Sequence, residues 1–512
     1  MSTSTVLQQP VPGPLAALAK AARPLLSISS RLAPLLLTPV VLLIHGYHPF
    51  AGDAGIYVAS VRHILNPSLY PLNSAFVMAF ARFSAFPWAM AAVVDTSHLP
   101  LPILLFVANL LSIFLFLTGC GQLAARLFAS ESARWCSLLL AAACFTLPVA
   151  GTALFIMDPY ITARSFSTPL SLMAVAASID RAWLRASLFL AIAAMIHPLM
   201  AAYAIGLVIV LACVTTGRIR LALSLCAVAT AVCAALSAFA HRFPIDPAYR
   251  QAVSLAPRTF LFLARWHGYE VLGLILPLLL FAVAWRWLGL ADPKGRLCLT
   301  CLFAGTTSLL IAATLVPAEG PYPLVPIQVL RTFQLIYAVG IALSGGILSA
   351  MARRSRTAIG ALLVLLFAGM FAAQRLAWAG CAHVEWPGSR TTNPYEQAFL
   401  WIRDNTPQSA VFAFDPQLVY LPEEDEQGFR VIAERDHLAD DKDAGIVAVI
   451  PPLARRWALQ RNAQVSVDHM SDSERLARVA HLGATWLLLS PNAETGLSCP
   501  WHNRVAKVCR MD

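Results

Sequence analysis

Long apolar runs alternate with short polar connectors from about residue 35 to residue 378. Each run approaches the roughly 20 apolar residues that a helix needs to cross a bilayer. From Cys381 onward, acidic residues and mixed polar and apolar segments replace this pattern. We therefore predict a polytopic α-helical membrane protein, with a transmembrane domain over residues 33–380 and a C-terminal soluble α/β domain over residues 381–512.

The charges of the connectors predict the path of the chain. Arg and Lys are concentrated in alternate connectors, and such connectors usually face the cytoplasm, as the basic segment 1–32 then does. The remaining connectors are rich in Pro, Asp, His and aromatic residues, and they lie at 48–95, 157–168, 241–268 and 317–325. This alternation predicts about eleven spans, with the soluble domain outside the cytoplasm. A bacterial inner membrane is the expected location.

One apolar stretch, residues 187–214, is too short for two full spans and long for one. His197-Pro198 lies near its middle. If the stretch were a single kinked helix, every later connector would change sides and the alternation of charge would break. We therefore predict two short or tilted helices that meet at Pro198. A lone histidine on such a segment is more often hydrogen-bonded to backbone than catalytic.

Composition supports the membrane assignment, because 58% hydrophobic and only 12% charged residues do not describe a soluble globular chain. The net charge of +10 follows from the basic connectors, and no basic cluster lies on the soluble tail, so nucleic acid is not an expected partner. The eleven cysteines show no metal-ligand spacing. Cys499 and Cys509 are free to pair if the tail faces an oxidising compartment.

The first outward connector carries a lone carboxylate, Asp53, shortly after the first apolar run. Apolar residues at 57, 61, 64 and 65 follow with helical spacing, which predicts an amphipathic helix that lies along the membrane surface and ends at Asn66-Pro67. The second outward connector contains Asp158 and, before a helix start, Arg164. Each acid has two interpretations that remain open, a catalytic carboxylate and a helix N-cap.

Further arginines in the outward connectors include Arg258, Arg265 and Arg331. Arginine at the lip of a membrane domain needs a partner, and its planar guanidinium suits bidentate binding of phosphate oxygens. Arg331 stands at the start of a long apolar run, so we expect it near membrane depth. Its anionic partner is either an internal carboxylate such as Glu319 or a ligand phosphate.

These features together resemble the GT-C class of integral membrane glycosyltransferases, which use lipid-linked sugar donors. The resemblance rests on one acid in each of the first two outward connectors, on about eleven spans and on a C-terminal domain outside the cytoplasm. The segments 393–407, 410–413 and 429–435 also look like the start of the soluble domain in bacterial members. The resemblance covers most of the chain in architecture, but its motifs are short.

The resemblance implies transfer of a sugar from a polyprenyl-phosphate donor to a glycan, lipid or protein acceptor outside the cytoplasm. Membrane lipid and the lipid-linked donor are then the expected partners. Asp53, as general base, and Asp158 are the implied catalytic residues. The implied substrate-binding residues are His48, Tyr57, Arg164, Arg258, Arg265 and Arg331.

One position departs from the pattern of the class. Many members carry two adjacent acids in the first outward connector, whereas Gly52 precedes the single acid Asp53 here. A divalent metal ion therefore stays open as a cofactor, and no metal ligand is assigned. The competing hypothesis is a non-enzymatic membrane protein, either a lipid or glycan transporter or a structural component with a partner-binding tail.

The soluble tail shows alternating helix and strand patterns. We predict helices at 395–404, 454–461 and 471–482, and strands at 410–414 and 485–489.

Overall fold

The computed structural model describes residues 29–255, 260–320 and 322–511. Most of the segment 1–32 lies outside the described residues, and so does Arg258. The first helices are α1 (Ala33–His45), α2 (Ala54–Leu65), α3 (Ser74–Val77) and α4 (Phe86–Ser97). The following helices are α5 (Leu101–Leu127), α6 (Glu131–Ala143), α7 (Arg164–Ile179), α8 (Trp183–Ile196), α9 (Pro198–Thr215) and α10 (Ile219–Ala240). The membrane region ends with α11 (Pro247–Leu255), α12 (Gly268–Leu288), α13 (Pro293–Leu315), α14 (Phe333–Arg354) and α15 (Arg356–Ala377).

Seven helices of the described chain are long and apolar enough to cross a membrane: α5, α9, α10, α12, α13, α14 and α15. Four shorter helices, α1, α6, α7 and α8, contain 13, 13, 16 and 14 residues. The prediction of a polytopic helical membrane protein is confirmed, and the path of about eleven spans stays a prediction. The chain also breaks at His197, between α8 and α9, so the two short helices predicted to meet at Pro198 are present.

Small residues allow the helices of the bundle to approach closely. Gly345 on α14 lies against Ser137 on α6, where an added Cβ would come within 2.6 Å of the Ser137 Cα. The Ser137 hydroxyl donates a hydrogen bond of 2.7 Å to the carbonyl oxygen of Ala342. Small residues with an occasional hydroxyl bond are the usual means of packing helices in a bilayer.

The first outward connector lies between the bundle and the soluble domain. Its helix α2 ends at Leu65, before Asn66-Pro67 as predicted. The apolar stripe of α2 is buried at Tyr57 and Val61, which belong to a hydrophobic cluster that includes Phe86 of α4 and Phe429 of the soluble domain. Ile64 is half-buried and Leu65 is exposed, so protein covers the first part of the stripe that the sequence places on a membrane surface.

The soluble domain contains a five-stranded sheet in the order β2-β1-β3-β5-β4. The strands are β1 (Val411–Ala413), β2 (Asp436–His437), β3 (Trp486–Leu489), β4 (Trp501–His502) and β5 (Lys507–Arg510). The helices of the domain are α16 (Pro394–Asn405), α17 (Phe429–Ala433), α18 (Asp443–Val449), α19 (Ala454–Gln464) and α20 (Asp472–Val479). Strand β1 pairs in parallel with β2 and β3, and β5 pairs antiparallel with β3 and β4.

The sequence predicts the helices α16, α19 and α20 and the strands β1 and β3, and each is present with its ends shifted by a few residues. It does not predict β2, β4, β5, α17 or α18. Two of these strands have two residues each, which is too short for a recognisable alternation. Cys499 and Cys509 form a disulfide, the pairing that the sequence allows for a tail in an oxidising compartment.

The contact between α6 and α14 generates a stability prediction. We expect Gly345→Leu to lower the thermal stability of the detergent-solubilised protein, because the new side chain collides with the Ser137 backbone and overpacking typically costs about 1–3 kcal/mol or more. Thermal unfolding monitored by size-exclusion chromatography measures the effect. Gly360→Leu on α15 is the matched control, since no atom lies within 4 Å of its added Cβ. An equal loss in both variants would contradict the packing argument.

Candidate functional site

A cavity of about 720 Å³ lies between the bundle, the first two outward connectors and the soluble domain. The membrane region contributes Asp53, Tyr57, Tyr160, Arg164, His197 and Arg331 to its lining. The chain after α15 contributes Trp378, Tyr420, Asp425, Glu426 and Lys442. A cavity of this size, with aromatic walls and a few converging charged groups, has the character of a binding site for a small molecule or a lipid headgroup.

Arg164 joins the two outward acids at one edge of this cavity. Its Nη1 lies 2.8 Å from Oδ2 of Asp53, and its Nη2 lies 3.0 Å from Oδ2 of Asp158. Asp158 also accepts a hydrogen bond of 3.4 Å from the hydroxyl of Thr162. The side chains of Arg164 and Asp158 are buried, whereas that of Asp53 remains 39% exposed, and of the two acids Asp53 lines the cavity.

Backbone hydrogen bonds hold Asp53 in this position. The N–H of Gly52 donates to the carbonyl oxygen of Glu426 at 3.0 Å, and the N–H of Gly428 donates to that of Phe50 at 3.1 Å. On the opposite side, the N–H of His48 donates to the carbonyl oxygen of Pro159 at 3.0 Å. The first outward connector is therefore fixed between the second one and the soluble domain.

The helix-cap interpretations of the two acids are wrong. Asp53 occupies the position before α2, but its side chain accepts no capping hydrogen bond, and its backbone is already helical with φ −70° and ψ −16°. An N-cap side chain reaches the exposed N–H groups from an extended backbone, which Asp53 lacks. Asp158 lies five residues before the N-cap position of α7, which is Ala163, and it binds Arg164 and Thr162 instead.

The charges around Asp53 keep it ionised. Burial alone would raise the pKa of Asp53, but the positive charges of Arg164 and Lys442 lower it to about 2. Asp158 behaves differently, because its burial raises its pKa and Arg164 offsets this only in part. Asp53 is thus a stable anion at neutral pH and Asp158 the more protonatable member of the pair.

Arg331 faces the same cavity from the turn that precedes α14. Its guanidinium carbon lies 5.3 Å from the centre of the Phe260 ring, and its Nε is buried without a hydrogen-bond partner. Among the described residues no carboxylate pairs with Arg331, and the expected alternative partner Glu319 does not do so. Because no carboxylate forms a salt bridge with it in the described part of the chain, Arg331 leaves positive charge on the cavity wall that suits an anion.

The other predicted binding residues are divided between the cavity and its surroundings. Tyr57 lines the cavity. His48 does not, because it is fully buried, stacks on Trp378 with ring centres 4.7 Å apart and forms a hydrogen bond of 2.7 Å with Glu385. Arg265 is exposed, packs over Phe262 and is also absent from the lining.

Several lining residues are not among the site residues that the sequence predicts. His197 accepts a hydrogen bond from the N–H of Met200, as expected for a lone histidine on an apolar segment, yet it also lines the cavity. Trp378 and Lys442 come from the end of the membrane domain and from the soluble domain. The sequence does not predict these two residues because they are far from the first outward connector along the chain. No local pattern indicates a contact between that connector and residue 442.

Two groups of side chains in the described chain could hold a metal ion, namely His48 with Cys381 and Glu385, and His437 with Asp440 and Asp443. Neither group includes the two carboxylates bound by Arg164.

The comparisons with known proteins give structural neighbours only. No protein-family model matches the chain, and no curated protein matches its sequence. The archaeal oligosaccharyltransferase AglB from Archaeoglobus fulgidus, in complex with an inhibitory peptide and a dolichol-phosphate, matches 90% of this chain and 69% of its own, at 10% identity and a TM-score of 0.44. The apo form of the oligosaccharyltransferase from the same organism matches 90% of this chain and 69% of its own, at 9% identity and a TM-score of 0.45. At these identities and TM-scores the two matches carry no argument about the activity or the catalytic residues of this chain.

The buried pair of His48 and Glu385 generates a pH prediction. Burial lowers the pKa of His48 to about 3 and raises that of Glu385 to about 8. Between pH 6.5 and 8 the folded protein therefore retains a proton that the unfolded chain has released, and wild type should lose up to about 1.4 kcal/mol of stability per pH unit relative to Glu385→Gln. Unfolding measured across this range tests the slope. The exposed Glu494→Gln is the control and should follow wild type.

Proposed function

We propose that the protein is a membrane glycosyltransferase that moves a sugar from a polyprenyl-phosphate donor to an acceptor hydroxyl outside the cytoplasm. The observation that carries the proposal is the presence of a carboxylate and a guanidinium, groups of opposite charge, in one cavity. Asp53 supplies an ionised carboxylate at one side, and Arg331 supplies a half-buried guanidinium, with no salt bridge to a carboxylate among the described residues, at another. Glycosyl transfer from a lipid phosphate needs both groups.

Arg331 provides the site for the donor phosphate. A guanidinium close to the membrane region is costly unless an anion or water meets it, and its fork of donors matches phosphate oxygens. Lys442 lines the same cavity from the soluble domain and adds a second positive charge. The apolar lining beside Arg331, which includes Phe260 and Leu199, suits the first isoprene units of a lipid tail.

Asp53 receives the acceptor. Its Oδ2 is bound by Arg164, and no hydrogen bond involves its Oδ1 among the described residues, so Oδ1 is available to the hydroxyl group of an acceptor in the cavity. A carboxylate with a pKa near 2 is a weak base. It suffices where the transition state resembles an oxocarbenium ion, because the attacking hydroxyl becomes strongly acidic only as its bond to the sugar forms.

The reaction then proceeds as a single displacement of the phosphate. The acceptor oxygen forms a bond to the anomeric carbon, and the bond between that carbon and the phosphate oxygen breaks. The electron pair of the broken bond stays on the lipid phosphate, where Arg331 stabilises the growing negative charge. The hydroxyl proton passes to Asp53, and the lipid phosphate and the glycosylated acceptor leave as products.

Aromatic side chains suit the sugar between these two groups. Tyr57, Tyr160 and Trp378 line the cavity, and the rings of Tyr160 and Trp378 meet edge to face with centres 6.3 Å apart. Rings of this kind offer flat apolar faces to the C–H groups of a sugar while their polar atoms can form hydrogen bonds. The site faces outward, and we place the N-terminus in the cytoplasm and the protein in a bacterial inner membrane.

The role of Asp53 is tested by Asp53→Asn in cells that lack the wild-type protein. We expect the lipid-linked or surface glycan to be lost while the variant protein keeps normal abundance and membrane insertion. The rate of sugar transfer should fall by about 100- to 10,000-fold, the usual contribution of a general base. Asp95→Asn changes an exposed acid of the same outward connector and should keep the glycan. If deletion of the whole protein alters no glycan, the transporter or structural hypothesis replaces the enzyme.

The role of Arg331 is tested by donor binding. We expect Arg331→Gln to weaken binding of a polyprenyl phosphate by at least about tenfold, because it removes a charge-assisted hydrogen bond, and Arg331→Lys to recover part of it. Binding to the detergent-solubilised protein is measured by native mass spectrometry. Arg250→Gln alters an exposed outward arginine outside the cavity and should bind like wild type. Equal affinities for all four proteins would exclude Arg331 from the donor site.

A further inference from the structure

We infer that Arg164 occupies the place of a divalent cation in this site, so that the protein works without a metal ion between its two outward acids. The inference rests on the proposed function and refines it. The GT-C resemblance leaves a divalent metal open as a cofactor, and two facing carboxylates at a substrate cavity are suitable ligands for one. The geometry around Asp53 and Asp158 decides the question.

The guanidinium of Arg164 lies directly between the two acids. Separate nitrogens bind Oδ2 of Asp53 at 2.8 Å and Oδ2 of Asp158 at 3.0 Å. A metal ion shared by these oxygens would have to displace a guanidinium that is only 5% exposed. The displaced arginine would then be a buried cation without a partner, and the removal of a partner from a buried ion pair is strongly unfavourable.

The position next to Asp53 is also closed to a second acid. Gly52 has φ +54°, and an added Cβ would come within 2.7 Å of Cζ and 2.9 Å of Cε1 of Tyr160. The backbone therefore favours glycine here, and the Tyr160 ring leaves no room for a Cβ. A second acid next to Asp53 would have to displace the ring of Tyr160.

The remaining acids of the cavity are engaged elsewhere. Oδ2 of Asp425 accepts a hydrogen bond of 2.7 Å from the N–H of Gly380, and Glu426 lies 3.9 Å from the ammonium group of Lys442. Within the described residues, no group of three potential metal ligands contains Asp53 or Asp158. The residues present thus do not fit a divalent cation, and Arg164 acts as a positioning residue that holds Asp53 toward the acceptor.

Manganese binding to the full-length protein in detergent tests the inference without any need for catalysis. Mn²⁺ is titrated into the protein, and the free Mn²⁺ is measured by electron paramagnetic resonance. The melting temperature is measured at each Mn²⁺ concentration. We expect wild type and Asp53→Asn to bind Mn²⁺ equally. The increase in melting temperature that Mn²⁺ causes should differ between the two proteins by less than about 1 °C. Binding to the other two ligand groups is the same in both proteins and cancels from this comparison.

Arg164→Gln provides the converse measurement. It leaves the two carboxylates facing each other without a cation, so we expect a lower melting temperature that millimolar Mn²⁺ raises by at least about 3 °C. The triple variant Arg164→Gln, Asp53→Asn, Asp158→Asn should lose this response. If Arg164→Gln does not fold, the comparison of wild type with Asp53→Asn decides alone.

The outcomes separate this inference from the proposed function. Mn²⁺ binding by wild type that disappears in Asp53→Asn would overturn the inference, whether or not the protein is an enzyme. Activity that is lost in EDTA and restored by Mn²⁺, together with Mn²⁺ binding that depends on Asp53, would overturn the inference while leaving the glycosyltransferase function intact. Activity that persists within twofold in EDTA, together with no Asp53-dependent Mn²⁺ binding, is the expected result.

Discussion

The cavity of this protein depends on the neutralisation of one buried arginine. Arg164 begins α7, and the acids that match its charge come from the first and second outward connectors. A buried charge tolerates few arrangements, so the bonds to Asp53 and Asp158 fix both connectors relative to the bundle. Gly52, Tyr160 and the soluble-domain segment around Glu426 then pack around this fixed point. The shape of the cavity follows from that arrangement.

The sequence predicts those parts of the molecule that depend on interactions between residues close together in the chain. Apolar runs indicate the spanning helices, Pro198 indicates the break between α8 and α9, and the spacing after Asp53 indicates α2. The carboxylates and arginines singled out in the outward connectors include Asp53, Arg164 and Arg331, which all line one cavity. Charged residues at a membrane exit are expensive, so their presence is informative without any knowledge of contacts.

What the sequence does not predict depends on contacts between distant residues. Lys442 and Trp378 reach the cavity because the soluble domain folds onto the first outward connector, a contact with no local signature. His48 is a polar residue beside Asp53 and looks equally suitable for binding. Its partner Glu385 is 337 residues away, and this partner turns it into a buried structural group. The cap interpretation of Asp53 fails because backbone dihedral angles, which composition does not reveal, decide whether a side chain can cap.

The backbone of Tyr47 pairs with the segment that follows α15, through hydrogen bonds of 3.0 Å to His383 and from Glu385. The exit of the first helix and the exit of the last are therefore neighbours. A chain that is synthesised from its N-terminus contains α1 early but can form this pairing only after α15 and the segment that follows it have been synthesised. The cavity is thus completed late, because Trp378, Tyr420 and Lys442 of its lining come from the part of the chain after α15.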